Sequence, residues 1–285
     1  MSARQRDLDG LYEALARFNW WLRRLGKHAD GEGLELRKRL LPPRGDGPAD
    51  HAAGLDRWLQ WLVPLPQAPR ILDLGCGFGA SLLRWAESTH GTGIGVTRSR
   101  VQQRRATAEA LRRGLQDRCT FVVQDFTAPL PGTFDVVIAI ESLAHASDLA
   151  AVLRAVHTAL RPGGHFVWLD DALRPDAGQD PDVHELARRW SSPPLPELAT
   201  RHSLLAAAGL RVLRTIDITA QVASAPMQTK ERRRRKLLRL RRFVPIPLAR
   251  HLADAFLGGI ALEDMYARGI ANYAVTTAMR EESAA

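Results

Sequence analysis

Residues 71–81 read Ile-Leu-Asp-Leu-Gly-Cys-Gly-Phe-Gly-Ala-Ser. The first four residues predict a short apolar strand that carries one carboxylate, that of Asp73. Glycines follow at alternate positions, Gly75, Gly77 and Gly79, before a helical pattern starts. Glycine lets the backbone approach a ligand closely, and the first turn of a helix presents free N–H groups. This strand, glycine turn and helix therefore predict a site for a nucleotide-like cofactor.

The composition is that of an ordinary globular protein. The chain has 285 residues, of which 45% are hydrophobic and 25% are charged, enough for one sizeable α/β domain with additions or two small domains. No apolar run reaches the roughly 20 residues that a membrane-spanning helix requires. Residues 1–10 do not resemble a signal peptide, and Cys76 and Cys119 form neither a disulfide framework nor a metal-site pattern. We therefore expect a cytoplasmic protein without a bound metal.

Nearly all of the formal net charge of +9 comes from one segment. Residues 230–242 read Lys-Glu-Arg-Arg-Arg-Arg-Lys-Leu-Leu-Arg-Leu-Arg-Arg and carry a net charge of +8. The remainder of the chain is close to neutral. This distribution indicates a local basic patch that needs its own explanation, because the protein as a whole is not strongly basic.

Apolar runs and helical patterns alternate after Pro69. The predicted strands cover residues 70–74, 91–96, 119–124, 133–140, 164–169, 211–219 and 271–279. The predicted helices between them cover residues 79–89, 99–114, 148–160 and 201–208. Continuous apolar runs are typical of parallel strands buried on both faces. The alternation predicts an α/β fold with a doubly wound, Rossmann-like, mostly parallel seven-stranded sheet.

The same pass along the chain predicts a division into segments. The predicted segments are an N-terminal helical lid over 1–65, a cofactor-binding core over 66–170, a cap insertion over 171–200, a continuation of the core over 201–219, a basic and apolar cap segment over 220–269, and a last core strand over 270–281. The lid contains an amphipathic helical pattern over 8–27 and a second predicted helix over about 50–62.

The glycine run alone does not identify the cofactor, because it fits both G-x-G-x-x-A and G-x-G-x-G. Asp73, two residues before the first glycine, is suited to pairing with an ammonium group and would repel a pyrophosphate. The end of the second strand, residues 93–100, lacks the Asp or Glu that normally holds an NAD ribose. Arg98 and Arg100 in this stretch suit an NADP phosphate, so an NADP-dependent oxidoreductase remains an alternative.

Two further motifs follow later strands. Gln124-Asp125-Phe126 supplies a carboxylate and an aromatic ring for an adenine, and residues 160–164, Leu-Arg-Pro-Gly-Gly, predict a helix-ending turn before strand five. Together with the glycine run, this set resembles the class I S-adenosylmethionine-dependent methyltransferases. Residues 95–102, Gly-Val-Thr-x-Ser-x-x-Gln, resemble the variant in cyclopropane-fatty-acid-synthase-like, sterol and tocopherol methyltransferases. The resemblance covers about residues 68–170 well.

The resemblance implies S-adenosylmethionine as cofactor. In this family pattern Thr97 and Gln102 stand in for the missing acid at the ribose, and Asp125 and Phe126 contact the adenine. The implied cofactor-binding set is Asp73, Gly75, Gly77, Gly79, Thr97, Gln102, Asp125, Phe126 and Ile140. Helix capping by Thr97 and Gln102, and an ordinary loop position for Asp125, remain alternatives.

Two candidate catalytic residues follow strand four. Glu141 and His145 lie close to the transferred methyl group on topology alone, because the carboxyl ends of strands line the ligand crevice. The resemblance implies that Glu141 stabilises a cationic intermediate or positions the acceptor. It implies that His145 takes the proton lost after methylation, a role that suits the near-neutral pKa of imidazole. The structural alternatives are a carboxylate at a helix start and a packed core histidine.

Several aromatic residues are weaker candidates for the pocket. The predicted N-terminal helix carries Tyr12, Trp20 and Trp21, and Tyr266 and Tyr273 flank the last helix–strand turn. Core packing is the alternative for all five residues.

The basic run 230–242 has three interpretations: a solvated amphipathic helix, an anionic membrane surface, or a phosphate or diphosphate on the acceptor. Nucleic acid is disfavoured, because the rest of the chain is near neutral and no stacking aromatic residues interrupt the run.

These observations predict an S-adenosylmethionine-dependent methyltransferase of a lipophilic small molecule, located in the cytoplasm or at the periphery of a membrane. The apolar stretch 243–262 and the family resemblance favour a lipophilic acceptor, with carbon preferred over oxygen or nitrogen as the methylated atom. Alignment of the reacting groups in a dry pocket is expected to supply most of the acceleration. A non-catalytic cofactor-binding module is a further alternative.

Overall fold

The computed structural model describes residues 37–42, 52–130, 132–243 and 247–281. Within these ranges the strands are β1 (Arg70–Leu74), β2 (Thr92–Thr97), β3 (Cys119–Val123), β4 (Phe134–Ile140), β5 (Leu160–Leu173), β6 (Leu210–Asp217) and β7 (Ala271–Arg280). The α-helices are α1 (Ala52–Trp61), α2 (Ala80–Thr89), α3 (Arg100–Arg112), α4 (Leu149–Ala159), α5 (Pro181–Trp190), α6 (Leu198–Ala207), α7 (Met227–Phe243) and α8 (Pro247–Ala267).

The strands form one sheet in the order β3-β2-β1-β4-β5-β7-β6. All pairs from β3 to β5 are parallel, and β7 runs antiparallel to both β5 and β6. The prediction of a mostly parallel, Rossmann-like seven-stranded sheet is therefore confirmed. The chain order reverses between β1 and β4, so the ligand crevice is expected where the carboxyl ends of these two strands meet.

Burial on both faces explains the apolar runs in the sequence. Ile71 of β1 belongs to one apolar cluster, whereas Leu72 and Leu74 belong to the cluster on the opposite face, and all three are fully buried. Burying such a side chain contributes about 1.5–3 kcal/mol relative to leaving it exposed. The central strand is therefore anchored from both sides, which places Asp73 at a defined depth in the sheet.

Strand β5 differs most from the prediction. Its first residue, Leu160, pairs with Phe134, and the register then shifts so that His165 pairs with Val136. The predicted turn 160–164 thus lies inside β5 as an irregularity, where Gly163 adopts a φ of 75°. At its other end β5 continues past residue 169 to Leu173, because antiparallel pairing with β7 extends it.

The predicted helix at 50–62 is present as α1, whereas the predicted helix at 8–27, with Tyr12, Trp20 and Trp21, lies outside the described residues. Residues 37–42, here called the strap, pair with the segment after β6. Leu40 forms a bridge with Val222, and the Leu41 N–H donates to the Gln221 carbonyl at 2.6 Å. The strap therefore crosses the molecule near the carboxyl end of the sheet.

The segments predicted as cap insertions contain helices. Helix α5 lies in the stretch 171–200, and α7 and α8 lie in the stretch 220–269. The division into segments stays a prediction. Among the helices of the described ranges, none has the length and apolar character needed to span a membrane.

Candidate functional site

The glycine turn, residues 75–79, follows β1 and leads into α2. Its three glycines adopt φ values of 80°, 53° and 82°, in the left-handed region that glycine tolerates best. A Cβ atom on Gly75 would lie 2.3 Å from Cβ of Ser142, and one on Gly79 would lie 2.7 Å from the Phe121 ring. A Cβ atom on Gly77 would meet no atom of the described residues within 4 Å. The outer glycines are thus required by packing, whereas Gly77 faces an open cradle.

Asp73 lies in β1, two residues before the first glycine of this turn. Its side chain is buried, and its Oδ2 atom has no hydrogen-bond partner among the residues that the structure describes. Burial raises the pKa of Asp73 to about 7, although the guanidinium of Arg37 acts in the opposite direction. An unpaired buried carboxylate oxygen is costly, and a cationic ligand would remove that cost. The ammonium group of S-adenosylmethionine fits this requirement.

Thr97 and Gln102 are brought together at the end of β2. The Thr97 hydroxyl donates to Oε1 of Gln102 at 2.6 Å, and both side chains are buried. Ser99 between them caps α3, accepting the Gln102 N–H at 3.2 Å. The pair therefore forms a preassembled polar junction between β2 and α3, and a ribose contact by these residues stays a prediction.

Asp125, Phe126 and His145 line one pocket, together with Arg98. The Asp125 Oδ1 atom accepts the Thr127 N–H at 3.0 Å, and its Oδ2 atom lies 3.6 Å from Nε of Arg98. Arg98, the alternative ligand for an NADP phosphate, thus lies against an acidic side chain. The structure therefore places the predicted adenine-binding residues and one predicted catalytic residue around the same cavity.

His145 ends a short 3-10 helix, Leu143–His145, that follows β4. Its ring centroid lies 5.8 Å from that of Trp190, the last residue of α5. Asp170 of β5 holds the start of this short helix, because its Oδ2 atom accepts the Leu143 N–H at 3.0 Å. Ile140, the last residue of β4, is buried in an apolar cluster. The position of His145 therefore depends on β4, β5 and α5 together.

Glu141 directly follows β4 and adopts a φ of 51°, which is unusual for a residue with a side chain. Its Oε1 atom accepts hydrogen bonds from the Tyr273 hydroxyl at 2.6 Å and from the Lys38 N–H at 3.1 Å. Its Oε2 atom lies 3.6 Å from Nζ of Lys38. A left-handed non-glycine residue costs about 1–3 kcal/mol and persists only when its surroundings hold it. Here the strap and β7 hold it.

A second carboxylate completes this group. Lys38 Nζ lies 3.0 Å from Oδ2 of Asp171, and the Tyr266 hydroxyl donates to the other oxygen of Asp171. We call Lys38, Glu141, Asp171, Tyr266 and Tyr273 the Lys38 cluster. The cluster combines one cation, two carboxylates and two phenols beneath the strap. Tyr266 and Tyr273, weak candidates in the sequence, both contact a carboxylate of this cluster.

The titration behaviour of the cluster follows from burial and charge. Burial raises the pKa of Asp171 to about 6, against the opposing charge of Lys38. Burial favours the neutral amine of Lys38, yet the carboxylates of Asp171 and Glu141 raise its pKa above the ordinary value. Burial also raises the pKa of Tyr266 and of Tyr273 well above the ordinary value. The two phenols are therefore hydrogen-bond donors near neutral pH and not bases.

Sequence reasoning missed Lys38, Asp170 and Asp171. The two aspartates carried a usable signal, because they follow an apolar strand pattern in the same way as Glu141 follows β4. Lys38 carried no comparable signal, since it lies 103 residues from Glu141 and 133 residues from Asp171 in the chain.

Comparison with known proteins agrees with this geometry. A family described as "Methyltransferase domain" matches residues 67–192. The 27-O-demethylrifamycin SV methyltransferase of Amycolatopsis mediterranei is 36% identical over 131 residues, covering 45% of this chain and 48% of the relative. A sterol 24-C-methyltransferase of Aspergillus fumigatus is 34% identical over 113 residues, covering 39% and 30%. The chain thus spans about half the length, or less, of these curated relatives.

Solved structures share the fold over nearly the whole chain. The [4+2]-cyclase SpnF superposes with a TM-score of 0.69 at 23% identity, covering 94% of this chain and 96% of the other. Geranyl diphosphate C-methyltransferase from Streptomyces coelicolor, in complex with Mg²⁺, geranyl diphosphate and S-adenosyl-L-homocysteine, gives 0.67 at 18% identity, covering 98% of each chain. At these identities the likeness shows the fold alone.

Three observations indicate a methyltransferase fold: the glycine-run motif, the strand order of the sheet and the family match. The match to the methyltransferase-domain family confirms the predicted enzyme class for residues 67–192 and agrees with S-adenosylmethionine as the predicted cofactor. Residues 67–192 of this chain match the methyltransferase-domain family, and this part of the chain is similar to the class I S-adenosylmethionine-dependent methyltransferases.

Proposed function

We propose that the whole chain is an S-adenosylmethionine-dependent methyltransferase that acts on a lipophilic small molecule by in-line transfer. The observation that carries this proposal is the buried Oδ2 atom of Asp73, which has no hydrogen-bond partner among the described residues and belongs to the strand that leads into the glycine turn. A buried carboxylate next to this turn suits a ligand with an ammonium group and disfavours a pyrophosphate.

Different residues of this chain would bind different parts of the cofactor. Asp73 would hold the ammonium group, the glycine turn would surround the amino-acid part, and Thr97 with Gln102 would meet the ribose. Asp125 and Phe126 would hold the adenine in the pocket that they line. When bound, S-adenosylmethionine supplies an electrophilic methyl group on a sulfonium that is already a good leaving group.

The acceptor would lie beside the Lys38 cluster and His145. Glu141 is presented in one orientation by Lys38 and Tyr273, so its carboxylate can position an acceptor or stabilise positive charge that develops on it. His145 would take the proton that the acceptor loses. Asp171 and Tyr273 of the cluster are buried, which would limit the access of water to this side of the crevice.

A buried apolar cluster that borders Tyr266 of the Lys38 cluster favours a lipophilic acceptor. Helix α8 contributes Leu262 and Met265, and α5 contributes Leu186, to an apolar cluster that Trp190 and Tyr266 border. The related proteins named for rifamycin, sterol and geranyl diphosphate substrates act on large or lipophilic metabolites. We propose carbon as the methylated atom, with oxygen and nitrogen as the alternatives that product analysis decides.

Calorimetric titration with S-adenosylhomocysteine and with NADP⁺ tests the cofactor. We expect S-adenosylhomocysteine to bind and NADP⁺ not to bind. Asp73→Asn should weaken S-adenosylhomocysteine binding by roughly tenfold to a hundredfold, or about 1.4–2.7 kcal/mol. Asp117→Asn, an exposed aspartate substitution, serves as the matched control. Binding of NADP⁺ without binding of S-adenosylhomocysteine would refute the proposal.

Turnover tests the catalytic part. The protein is incubated with methyl-labelled S-adenosylmethionine and a panel of sterols, isoprenyl diphosphates and polyketide intermediates, and label is counted in the organic extract. We expect label in at least one extract and a large loss with Glu141→Gln. Cofactor binding without label in any extract would favour the non-catalytic module, and the two experiments together separate these outcomes.

A further inference from the structure

The basic helix α7 is attached to α8 by one of its faces. Lys230 and Arg234 both pair with Asp264, the latter at 2.7 Å, and Arg241 pairs with Asp254 at 2.9 Å. These three cations recur at intervals of four and seven residues, which places them on one side of the helix. The part of the basic run that faces the protein is therefore neutralised by carboxylates of α8.

The opposite side of α7 carries cations that pair with no carboxylate of the described residues. We call this set the cationic face; it comprises Arg232, Arg235, Lys236, Arg239 and Arg242. Their spacing of three, four, seven and ten residues places them in one stripe about 15 Å long. All five are exposed, and no ion pair engages them anywhere in the described part of the chain. Glu231, the one acidic residue of α7, lies at the edge of the stripe.

Apolar side chains accompany the cationic face at its C-terminal end. Phe243 is 70% exposed, Leu238 is 43% exposed and Leu240 is 36% exposed, and Phe256 of α8 is 43% exposed. The guanidinium carbon of Arg242 lies 5.5 Å from the centroid of the Phe243 ring. A row of cations that borders exposed aromatic and aliphatic groups matches the boundary between lipid headgroups and acyl chains.

We propose that α7 docks this protein onto an anionic lipid membrane, with the cationic face on the phosphate layer and Phe243, Leu238 and Leu240 entering the boundary below it. Charge complementarity favours a membrane as the partner, since a dense layer of lipid phosphates attracts each of these cations. Single-stranded nucleic acid would require aromatic residues interleaved along the face for stacking, and Phe243 lies only at its end. A protein partner would require an apolar centre with a charged rim, which is the reverse of this pattern.

The location of α7 determines which side of the protein would face the membrane. Helix α8 separates α7 from the site: its Tyr266 hydroxyl donates to Asp171, and its Ala255 carbonyl accepts the Trp190 indole N–H at 3.1 Å. Trp190 in turn lies beside His145. Docking through α7 would therefore hold the acceptor side of the protein near the lipid phase. This consequence rests on the proposed function, whereas the docking itself does not.

Co-sedimentation of the full-length protein with vesicles tests the proposal. We expect it to sediment with vesicles of equal parts phosphatidylcholine and phosphatidylglycerol and to remain in solution with phosphatidylcholine alone. A variant with Arg232→Gln, Arg235→Gln, Lys236→Gln and Arg239→Gln should bind the anionic vesicles more weakly by roughly a hundredfold or more. Phe243→Ser should weaken binding severalfold and leave its salt dependence unchanged.

A matched control carries the same change of charge elsewhere: Arg57→Gln, Arg104→Gln, Arg154→Gln and Arg214→Gln, all at exposed positions. We expect this variant to bind the anionic vesicles as the unmodified protein does. Equal losses in both variants, or no sedimentation of the unmodified protein, would overturn the proposal. Tighter binding to single-stranded RNA than to anionic vesicles would also overturn it. The same holds if inorganic phosphate displaces the protein from the vesicles more than chloride does at equal ionic strength. Cofactor calorimetry on each variant shows that it is folded, and is independent of the vesicle result.

Discussion

The Tyr273 hydroxyl donates a 2.6 Å hydrogen bond to Oε1 of Glu141, across 132 residues of sequence. The two residues belong to β7 and to the end of β4, which are separated in the sheet by β5. The Lys38 N–H of the strap donates to the same oxygen. Three distant parts of the chain thus orient one carboxylate at the carboxyl end of the sheet.

Tyr273→Phe removes this donor and keeps the ring, which lies 4.6 Å from Nζ of Lys38. We expect kcat to fall by roughly tenfold or more, because an oriented group loses its alignment. The free energy of unfolding should fall by about 1 kcal/mol, the net value of one hydrogen bond. Labelled-methyl turnover and urea denaturation measure these effects, and S-adenosylhomocysteine affinity should not change. An unchanged kcat would show that the hydroxyl does not position Glu141 for the reaction.

Lys38→Met leaves the buried carboxylate of Asp171 and the half-buried carboxylate of Glu141 without their cation. We expect the free energy of unfolding at pH 7 to fall by about 3–5 kcal/mol, since an uncompensated buried charge is strongly unfavourable. The pKa of Asp171, already raised to about 6 by burial, should rise further, so the loss should be smaller at pH 5, where Asp171 is protonated.

Denaturant unfolding of a double-mutant cycle checks this prediction. Adding Asp171→Asn to Lys38→Met should recover part of the lost stability, because the second change removes the unpaired charge. Lys236→Met, at an exposed position, is the control and should change stability by less than about 0.5 kcal/mol. Additive effects of the two buried substitutions would contradict the proposed pairing.

Binding of the cofactor should depend on pH through Asp73. Burial raises the pKa of Asp73 to about 7, and a bound ammonium group requires the ionised carboxylate. The affinity for S-adenosylhomocysteine should therefore rise as pH increases, by roughly tenfold per unit below pH 7, and level off above it. Calorimetry over this range checks the slope, and Asp73→Asn should flatten it. A pH-independent affinity of the unmodified protein would contradict the role assigned to Asp73.

The same pKa predicts an effect on stability without ligand. Because the pKa of folded Asp73 lies above its ordinary value of 3.8, the folded state binds the proton more tightly than the unfolded state. The contribution of this group to stability is present at low pH and is lost as pH rises through about 7. Asp73→Asn should therefore be more stable than the unmodified protein at pH 8, by up to about 4 kcal/mol, and the gain should shrink at pH 5.

Two glycines of the turn should respond differently to the same substitution. Gly75→Ala places a methyl group 2.3 Å from Ser142, so we expect a loss of stability of about 3 kcal/mol or more. Gly77→Ala meets no atom, so only its left-handed φ of 53° should cost stability, about 1–2 kcal/mol. Its methyl group would instead occupy the cradle and weaken S-adenosylhomocysteine binding. Thermal unfolding and calorimetry distinguish the two effects, and equal stability losses would contradict them.

The local placement of the proposed cofactor-binding residues was largely predictable from sequence. Asp73, the glycine turn, and Thr97 with Gln102 are each close in the chain to the strand end that places them. A strand end therefore identifies them without knowledge of the tertiary fold. The hydrogen bond between Thr97 and Gln102 was also predictable, because it joins residues five positions apart.

The surroundings of the proposed catalytic residues were not predictable to the same degree. Glu141 and His145 were identified by topology, but Lys38 and Asp171 were not, and the contact between Arg98 and Asp125 was not foreseen. The far end of β5 was also missed, because Asp170 and Asp171 are polar and are held in the strand by pairing with β7.

By itself the sequence determined the alternation of strands and helices, the glycine turn and the cofactor class, since these depend on local periodicity and backbone freedom. Only the tertiary structure decided how the strap, β4, β5, α8 and β7 meet around Glu141. Contacts across more than a hundred residues arise from the order of strands in the sheet and from burial, and no local pattern encodes which lysine reaches which carboxylate.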